Sequence, residues 1–368
     1  MLISVCIPQY NRSKYLLAVL ESIRIQDYRD VEVVISDDCS TDDSLEVIPK
    51  YIAEVAGTTH VRFNYIRQAK NLGYDGNLRA ALNAGTGEYL FVLGNDDALP
   101  EKDTLSKLAR ILERLDYPDV SFANFHLCDQ PHEIQRRAKT TAVLGSGPEV
   151  ALQTFRSFSF VGGLIIKRAT FQQHNTDKCD GSVYVQIYLA ARTIAAGGTV
   201  AAISESLVAK DVTFPGELVN SYLDTLAANN RTFHRELGGL DQVGRVACDA
   251  IADCVPRGLR QRYVLRVYAQ LLLFTYPYWL LNYRKHGVYR AAVNLALGCY
   301  PPNLVRHTRV SLHVKFCLIV LFVVSTAVGL LVPVALLGRL AGWIARLAKG
   351  LQRKPANVLN SGAELPAS

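Results

Sequence analysis

The chain has 368 residues, 49% hydrophobic and 20% charged, enough apolar material for one large domain with an appendage or for two domains, and too apolar for a disordered chain. Its eight cysteines, at positions 6, 39, 128, 179, 248, 254, 299 and 317, include no Cys-x-x-Cys pair and no Cys/His cluster at zinc spacing, a pattern that argues against a disulfide framework or a structural zinc site. The net charge of +7 is uneven: from Pro256 to Lys354 there are 15 Lys or Arg and no Asp or Glu, which directs that region toward an anionic surface and leaves the rest of the chain acidic.

The N-terminus enters residues 2–7, an apolar run that reads as a buried strand. It is too short for a signal-peptide core and has no basic lead, so the N-terminal domain is expected in the cytosol. Residues 8–12 form a turn, and Ser13 caps a helix to about Ile25 with apolar positions at Leu16, Leu17, Leu20 and Ile23. A second strand covers 31–36, a loop 37–40, and a helix starting at Thr41 or Asp42 runs to about Ala56. A third strand covers 61–67, a Gly-containing loop 71–76, and a helix continues to Ala84. The fourth strand, 88–93, is apolar from Tyr89 and stops at Gly94-Asn95-Asp96-Asp97.

Continuous apolar strands alternating with helices predict a parallel sheet covered on both faces. Such sheets bind ligands beyond the carboxyl ends of their strands, which is where 8–12, 37–38 and 95–97 fall. Residues 117–215 are expected to complete the sheet with strands near 120–126, 161–167 and 199–203 and a helix near 183–196. A mostly helical stretch follows to about 300.

Residues 316–337 carry no charge over 22 positions, enough to cross about 30 Å of hydrocarbon, and basic residues flank both sides. Two basic flanks conflict with one simple crossing under the positive-inside rule, so a re-entrant hairpin or a helix in the interface competes with a span. Residues 338–354 are amphipathic and basic, 263–283 are rich in Leu, Tyr and Trp, and the small polar residues from 355 to 368 form a flexible tail. The uncharged run argues against nucleic acid as the partner of this basic region.

Adjacent carboxylates at a strand end repel each other and need partners. For Asp37-Asp38 these are donors on a base or ribose, or those of an ordinary capped turn. For Asp96-Asp97 they are a hard divalent cation, with a plain turn as the competing reading. His126, His132 and His174 have no spacing that suggests a shared metal.

Four pieces stand in a telling order: residues 4–12 (SVCIPQYNR), 34–42 (VISDDCSTD), Asn71-Leu72-Gly73, and Thr86-Gly87-Glu88-Tyr89 leading to Asn95-Asp96-Asp97. This order resembles the inverting family 2 glycosyltransferases of the GT-A fold, closely over about residues 2–100 and more weakly to about 215. The resemblance implies a Rossmann-like, mostly parallel sheet flanked by helices at 1–215. Beyond it come a helical region at 216–305, a membrane-associated segment at 306–354 and the tail at 355–368. It implies a nucleotide-sugar site lined by Pro8, Tyr10, Arg12, Asp37, Asp38, Asn71, Gly73, Asn95 and Asp96. Asp97, with Asp96, would hold Mg²⁺ or Mn²⁺. Many members carry Asp-x-Asp-Asp where this chain has Gly94, which puts the ribose contact and strict metal dependence in question. The family's general base is usually an Asp within Glu-Asp. No such pair is present, and Asp180 before the 183–196 helix is the nearest equivalent, with Asp177, Glu205 and Asp211 as weaker alternatives. Gln186 is placed in the acceptor cleft.

The expected activity is inverting transfer of a hexosyl or deoxyhexosyl unit from a nucleoside-diphosphate sugar to a membrane-linked acceptor. The acceptor is a polyprenyl-diphosphate-linked saccharide, at the cytoplasmic face of a bacterial inner membrane, in surface-polysaccharide assembly. The rival is a catalytically inactive nucleotide-sugar-binding membrane scaffold. A nucleotidyltransferase is disfavoured because residues 8–12 contain no glycine.

Overall fold

The computed structural model describes residues 1–214, 239–334 and 336. The expected amphipathic helix at 338–354 and the tail at 355–368 lie outside the described residues, as does 215–238.

Nine strands form one mixed sheet: β1 (Ile3–Gln9), β2 (Val31–Asp37), β3 (Arg62–Arg67), β4 (Tyr89–Val92), β5 (Val120–Leu127), β6 (Gln130–Gln135), β7 (Ala142–Gly145), β8 (Leu164–Lys167) and β9 (Val200–Lys210). The order is β3-β2-β1-β4-β8-β5-β9-β7, with β6 beside β5. β3, β2, β1 and β4 are mutually parallel, β8 runs antiparallel to β4 and β5, and β9 is parallel to β5. The two strands not anticipated are β6 and β7. All six residues of β6 are exposed and one is Pro131, so no apolar period marks it.

Alternation along each strand feeds two cores. Ile3, Val5 and Ile7 of β1 and Tyr89 and Phe91 of β4 face one layer, while Cys6, Leu90 and Val92 face the other. The first layer is covered by α1 (Ser13–Arg24), α2 (Ser44–Val55) and α4 (Thr104–Arg114). In α1 the residues Leu16, Val19, Leu20 and Ile23 recur at helical spacing and are fully buried, each such burial being worth about 1.5–3 kcal/mol. The opposite layer holds α3 (Gly73–Ala84), α5 (Pro148–Thr154), α6 (Arg168–His174) and α7 (Val185–Ala195).

Further helices pack on this second layer: α8 (Leu240–Ala252), α9 (Arg260–Gln270), α10 (Tyr276–Lys285), α11 (Tyr289–Gly298), α12 (Pro301–Leu304) and α13 (Leu312–Leu331). A π turn at Leu271–Thr275 joins α9 to α10 just before Pro277, which has no N–H for the regular ladder. Gly244 of α8 lets Tyr268 in, since a Cβ there would lie 2.2 Å from the ring. Met1–Val332 thereby forms one compact unit, and residues from Pro333 form a second.

β1 connects outward to β2 on one side and has β4 on the other. The chain order reverses between β1 and β4, and the crevice beyond their carboxyl ends is where such sheets take ligands.

Candidate active site

Gln9, the last residue of β1, is fully buried and ties the surrounding loops together. Its Nε2 donates to Ser44 Oγ at 3.0 Å, its Oε1 accepts from Asn95 Nδ2 at 2.8 Å, and its carbonyl accepts from Asn77 Nδ2 and the Asp38 N–H. The chain then enters two successive left-handed residues, Asn11 at φ 53° and Arg12 at φ 62°. Side chains resist this conformation by about 1–2 kcal/mol per residue. Asn11 N–H donates to Ser40 Oγ at 2.8 Å and Asn11 Oδ1 accepts from Thr41 N–H at 2.9 Å, which holds the turn. The turn ends with the Arg12 guanidinium on Asp96. Pro8 is half-buried, and Tyr10 stands 46% exposed beside this turn.

The two carboxylates after β2 diverge. Asp37 is fully buried, and its oxygens accept from Ser40 N–H at 2.7 Å and from the Tyr65 hydroxyl. It is consumed in building the turn. Asp38 is also buried, and burial is the main cause that pushes its carboxyl above the ordinary range. N–H groups of Leu72 and Gly73 oppose that rise and the Asp37 charge adds to it. Asn71 shapes this loop by accepting from Gly73 N–H at 2.9 Å, and Gly73 sits at φ +72°, open to glycine at little cost. Asn71 and Gly73 therefore act here by presenting donors to Asp38.

After β4, Gly94-Asn95-Asp96-Asp97 closes as a turn, Asp97 N–H donating to Gly94 O at 3.2 Å. The end of β9 and the segment after it pin this loop from outside: Ala98 and Ala209 exchange backbone bonds, and Val212 N–H donates to Asp96 O at 2.7 Å. Asp97 is buried and accepts from Asp211 N–H at 3.3 Å. Burial first, then the Asp96 charge, pushes its carboxyl up to about 7. The Gly94 departure has a steric reason. A Cβ at position 94 would lie 2.7 Å from Asp97 Oδ2, and one at Gly162 would lie 2.8 Å from the same atom. Two glycines thus make the slot in which the Asp97 carboxyl lies.

Arg137 stands behind this slot and carried no sequence signal, since it follows exposed polar residues in an edge strand. Its guanidinium donates to the carbonyls of Ser157, Phe160, Ala123 and Gly162 and stacks within 5.4 Å of the Phe125 and Phe160 ring centres. Burial lowers it to about 9, and the Asp97 charge works against that fall.

The opposite bank of the crevice is α3 and the start of α7. Asp75 caps α7: it accepts from Val183 N–H at 2.7 Å, Val185 N–H at 3.0 Å and Ser182 Oγ at 3.3 Å. Val183, a β-branched residue, is held there at φ 66°. Asp180 lies in a two-armed grip from Arg79, Nε to Oδ1 at 2.9 Å and Nη2 to Oδ2 at 2.5 Å, and its side chain is 32% exposed. Gln186 is 2% exposed with an Oε1 that finds no protein donor. Of the weaker acids, Asp177 is exposed, Glu205 binds Thr141, and Asp211 pairs with Lys210 beside Asp97. Burial raises the Tyr74 phenol, and the charges of Asp75 and Asp97 add to that rise. The crevice therefore gathers Arg12, Asp38, Asn95, Asp96 and Asp97. Sequence reading did not anticipate Gln9, Tyr74, Asn77, Arg79 or Arg137. Only Gln9 had a usable signal, a lone polar residue closing an apolar strand.

Comparison with known proteins follows this geometry. Residues 4–173 match the model of Glycosyl transferase family 2. Over 132 residues the chain is 39% identical to abequosyltransferase RfbV of Salmonella typhimurium, covering 35% of this chain and 36% of that protein. Over 97 residues it is 31% identical to the GalNAc(5)-diNAcBac-PP-undecaprenol β-1,3-glucosyltransferase of Campylobacter jejuni, covering 26% and 30%. The chain thus spans about a third of the length of these two relatives. The structure of Staphylococcus aureus TarS residues 1–349 bound to UDP superposes with a TM-score of 0.56 at 16% identity, over 89% of this chain and 91% of that one. That likeness establishes the architecture as the GT-A fold.

Proposed function

With residues 4–173 forming a family 2 glycosyltransferase domain, we propose that this chain transfers one hexosyl or deoxyhexosyl unit, with inversion, from a nucleoside-diphosphate sugar to a saccharide acceptor. The observation that carries the reading is the Asp96–Asp97 loop at the β1/β4 switch point, where a buried carboxyl with one weak donor lies beside a second carboxylate. The nucleoside lies over Pro8 and Tyr10, with Asp38 on the base and Asp96, steered by Arg12, toward the ribose and diphosphate.

Mg²⁺ or Mn²⁺ fits this loop. Burial outweighs the Asp211 N–H and the nearby Lys210 charge at Asp97, and a hard cation would supply the missing neutralisation. Among the described residues no group of three His, Cys, Asp or Glu side chains could hold an ion, so Asp97 and Asp96 would share it with the diphosphate oxygens. Such a cation neutralises the departing diphosphate.

Asp180 takes the proton from the acceptor hydroxyl as that oxygen attacks the anomeric carbon and the bond to the diphosphate breaks. Each of its oxygens keeps a lone pair that Arg79 does not occupy, and the Arg79 grip fixes its direction. The acceptor is a polyprenyl-diphosphate-linked saccharide at the cytoplasmic face of a bacterial inner membrane, in surface-polysaccharide assembly. The named acceptor of the Campylobacter relative and the basic C-terminal region support this assignment.

Titration calorimetry with UDP, GDP, dTDP and CDP, with and without Mn²⁺, on wild type and Asp97→Ala tests the reading. Micromolar binding of one diphosphate, strengthened by Mn²⁺ and lost in the variant, is the expected result. A folded protein that binds none of the four overturns it.

A further inference from the structure

Among the described residues one helix, α13, is long and apolar enough to cross a membrane, with 20 residues at a mean hydropathy of 2.5. Its two faces differ. Val314, Leu318, Ser325 and Gly329 are buried against the protein, while Leu312, Phe316, Val320, Val324, Val328 and Leu331 recur every three or four residues and are 37–84% exposed. The apolar stripe therefore runs the full length of the helix on the side away from the body.

The buried face is fastened at both ends. Gln261 accepts from Ser311 N–H at 2.8 Å and donates to Arg309 O at 3.1 Å, at the head of the helix. Tyr276 and Thr326 share a hydrogen bond of 2.8 Å, and Arg284 Nη1 donates to Gly329 O at 2.6 Å, near its tail. Gly329 permits this closeness, since a Cβ there would meet Leu280 at 2.5 Å. The rod from Arg260 to Lys285 thus lies parallel to α13 along its whole length.

That rod is polar at intervals and bound to the catalytic domain. Between Gln261 and Arg284, Arg266 pairs with Glu149 at 2.6 Å, and Gln270 accepts from Arg156 Nε at 3.2 Å and donates to Leu152 O at 2.9 Å. Lys285 and Arg290 are exposed just past Arg284. If α13 crossed a bilayer, these charges and α5 would enter the hydrocarbon with it, which costs several kcal/mol per charged group. A helix lying in the plane of the bilayer exposes only the stripe.

Resting on the proposed membrane-linked acceptor, the geometry points to α13 as an in-plane membrane seat, its exposed stripe sunk among the acyl chains of an anionic leaflet. The charge selects this occupant over a second protein: Pro256 to Lys354 carries no acidic residue, and Arg309, Lys315, Lys285 and Arg290 are exposed around the helix.

Full-length Phe316→Trp, Val324→Trp and Leu331→Trp variants would be bound to phosphatidylcholine vesicles with or without about 30% phosphatidylglycerol. The lipids would carry bromine either near the headgroup or near the bilayer centre, and the wild-type signal would be subtracted. The in-plane seat predicts that all three indoles are quenched more by the shallow bromines, with binding several-fold stronger on anionic vesicles. Deepest quenching of Val324→Trp by the central bromines would mean a crossing and overturn it. An unquenched stripe, or equal binding to neutral vesicles, would overturn it as well. Val324→Asp should lower partitioning about tenfold without changing nucleoside-diphosphate binding. That binding, measured in the same preparations, reports separately on the proposed reaction: its persistence without lipid contact removes the seat and leaves the enzyme reading standing.

Discussion

On the β1–β4 bank of the crevice, the Asp97 carboxyl accepts one hydrogen bond, of 3.3 Å, among the described residues, Asp38 leans on the N–H groups of a single loop, and both are raised by burial. On the α3–α7 bank, Asp75 accepts three bonds and Asp180 fills both arms of Arg79. Protein groups satisfy the second pair and leave the first short of donors. Carboxylates of the first kind await a ligand, whereas those of the second hold the scaffold or react with their direction already fixed.

The largest effect expected from breaking this contrast is at Asp97. Asp97→Asn should lower kcat by about 10³-fold or more, measured by sugar transfer at saturating donor. The same variant sharpens the contrast through pH. The folded carboxyl titrates at about 7, above the ordinary value of about 3.9, so the folded state binds the extra proton between those values. Wild-type stability should therefore fall as pH rises through that window in metal-free buffer. Melting curves at pH 5 and pH 8 should show the variant gaining on wild type at pH 8, and Mn²⁺ should restore wild type alone.

Asp180→Asn comes next, with kcat down about 10²-fold or more and nucleotide affinity unchanged. Unaltered turnover would make Asp180 structural and send the search for a base to Asp211 or Glu205. Asp75→Ala should cost about 2–3 kcal/mol in urea unfolding, because it strips the cap of α7 and leaves buried N–H groups unpaired. Asp38→Ala should do the reverse, sparing stability while weakening the nucleoside diphosphate about tenfold by calorimetry. An effect of similar size belongs to Gly94→Ala. The added methyl meets Asp97 Oδ2, and about 1–3 kcal/mol of stability should be lost together with some Mn²⁺ affinity.

The β1–β4 bank was legible in the sequence for a physical reason. Its strands are fully apolar and parallel, so each polar cluster that ends one lies at the same edge of the sheet. The Asp38 and Asp96–Asp97 positions follow from that rule together with the family resemblance. Asp37 shows the limit, since nothing local separates a carboxylate that bonds Tyr65 from its neighbour that faces the crevice. The α3–α7 bank was far less legible. Arg79 meets Asp180 from 101 positions away, and Asp75 meets Val185 from 110, and no periodicity encodes such pairings. Arg137 lay in a polar stretch that reads as surface, yet its guanidinium turns inward onto four backbone carbonyls.

The staple between Ala98 and Ala209, with Val212 on Asp96, has a consequence for the order in which the molecule is made. The acidic loop is translated more than a hundred residues before its clamp. A nascent chain can pair β1 to β4 early, but its acidic loop stays unclamped until β9 has left the ribosome and closed that long loop. A fragment ending before residue 209 should keep the parallel strands and lose the clamp that holds the Asp96–Asp97 loop. The parallel β3-β2-β1-β4 block, which could pass for a self-sufficient module, is therefore completed only by the end of β9, the last described strand.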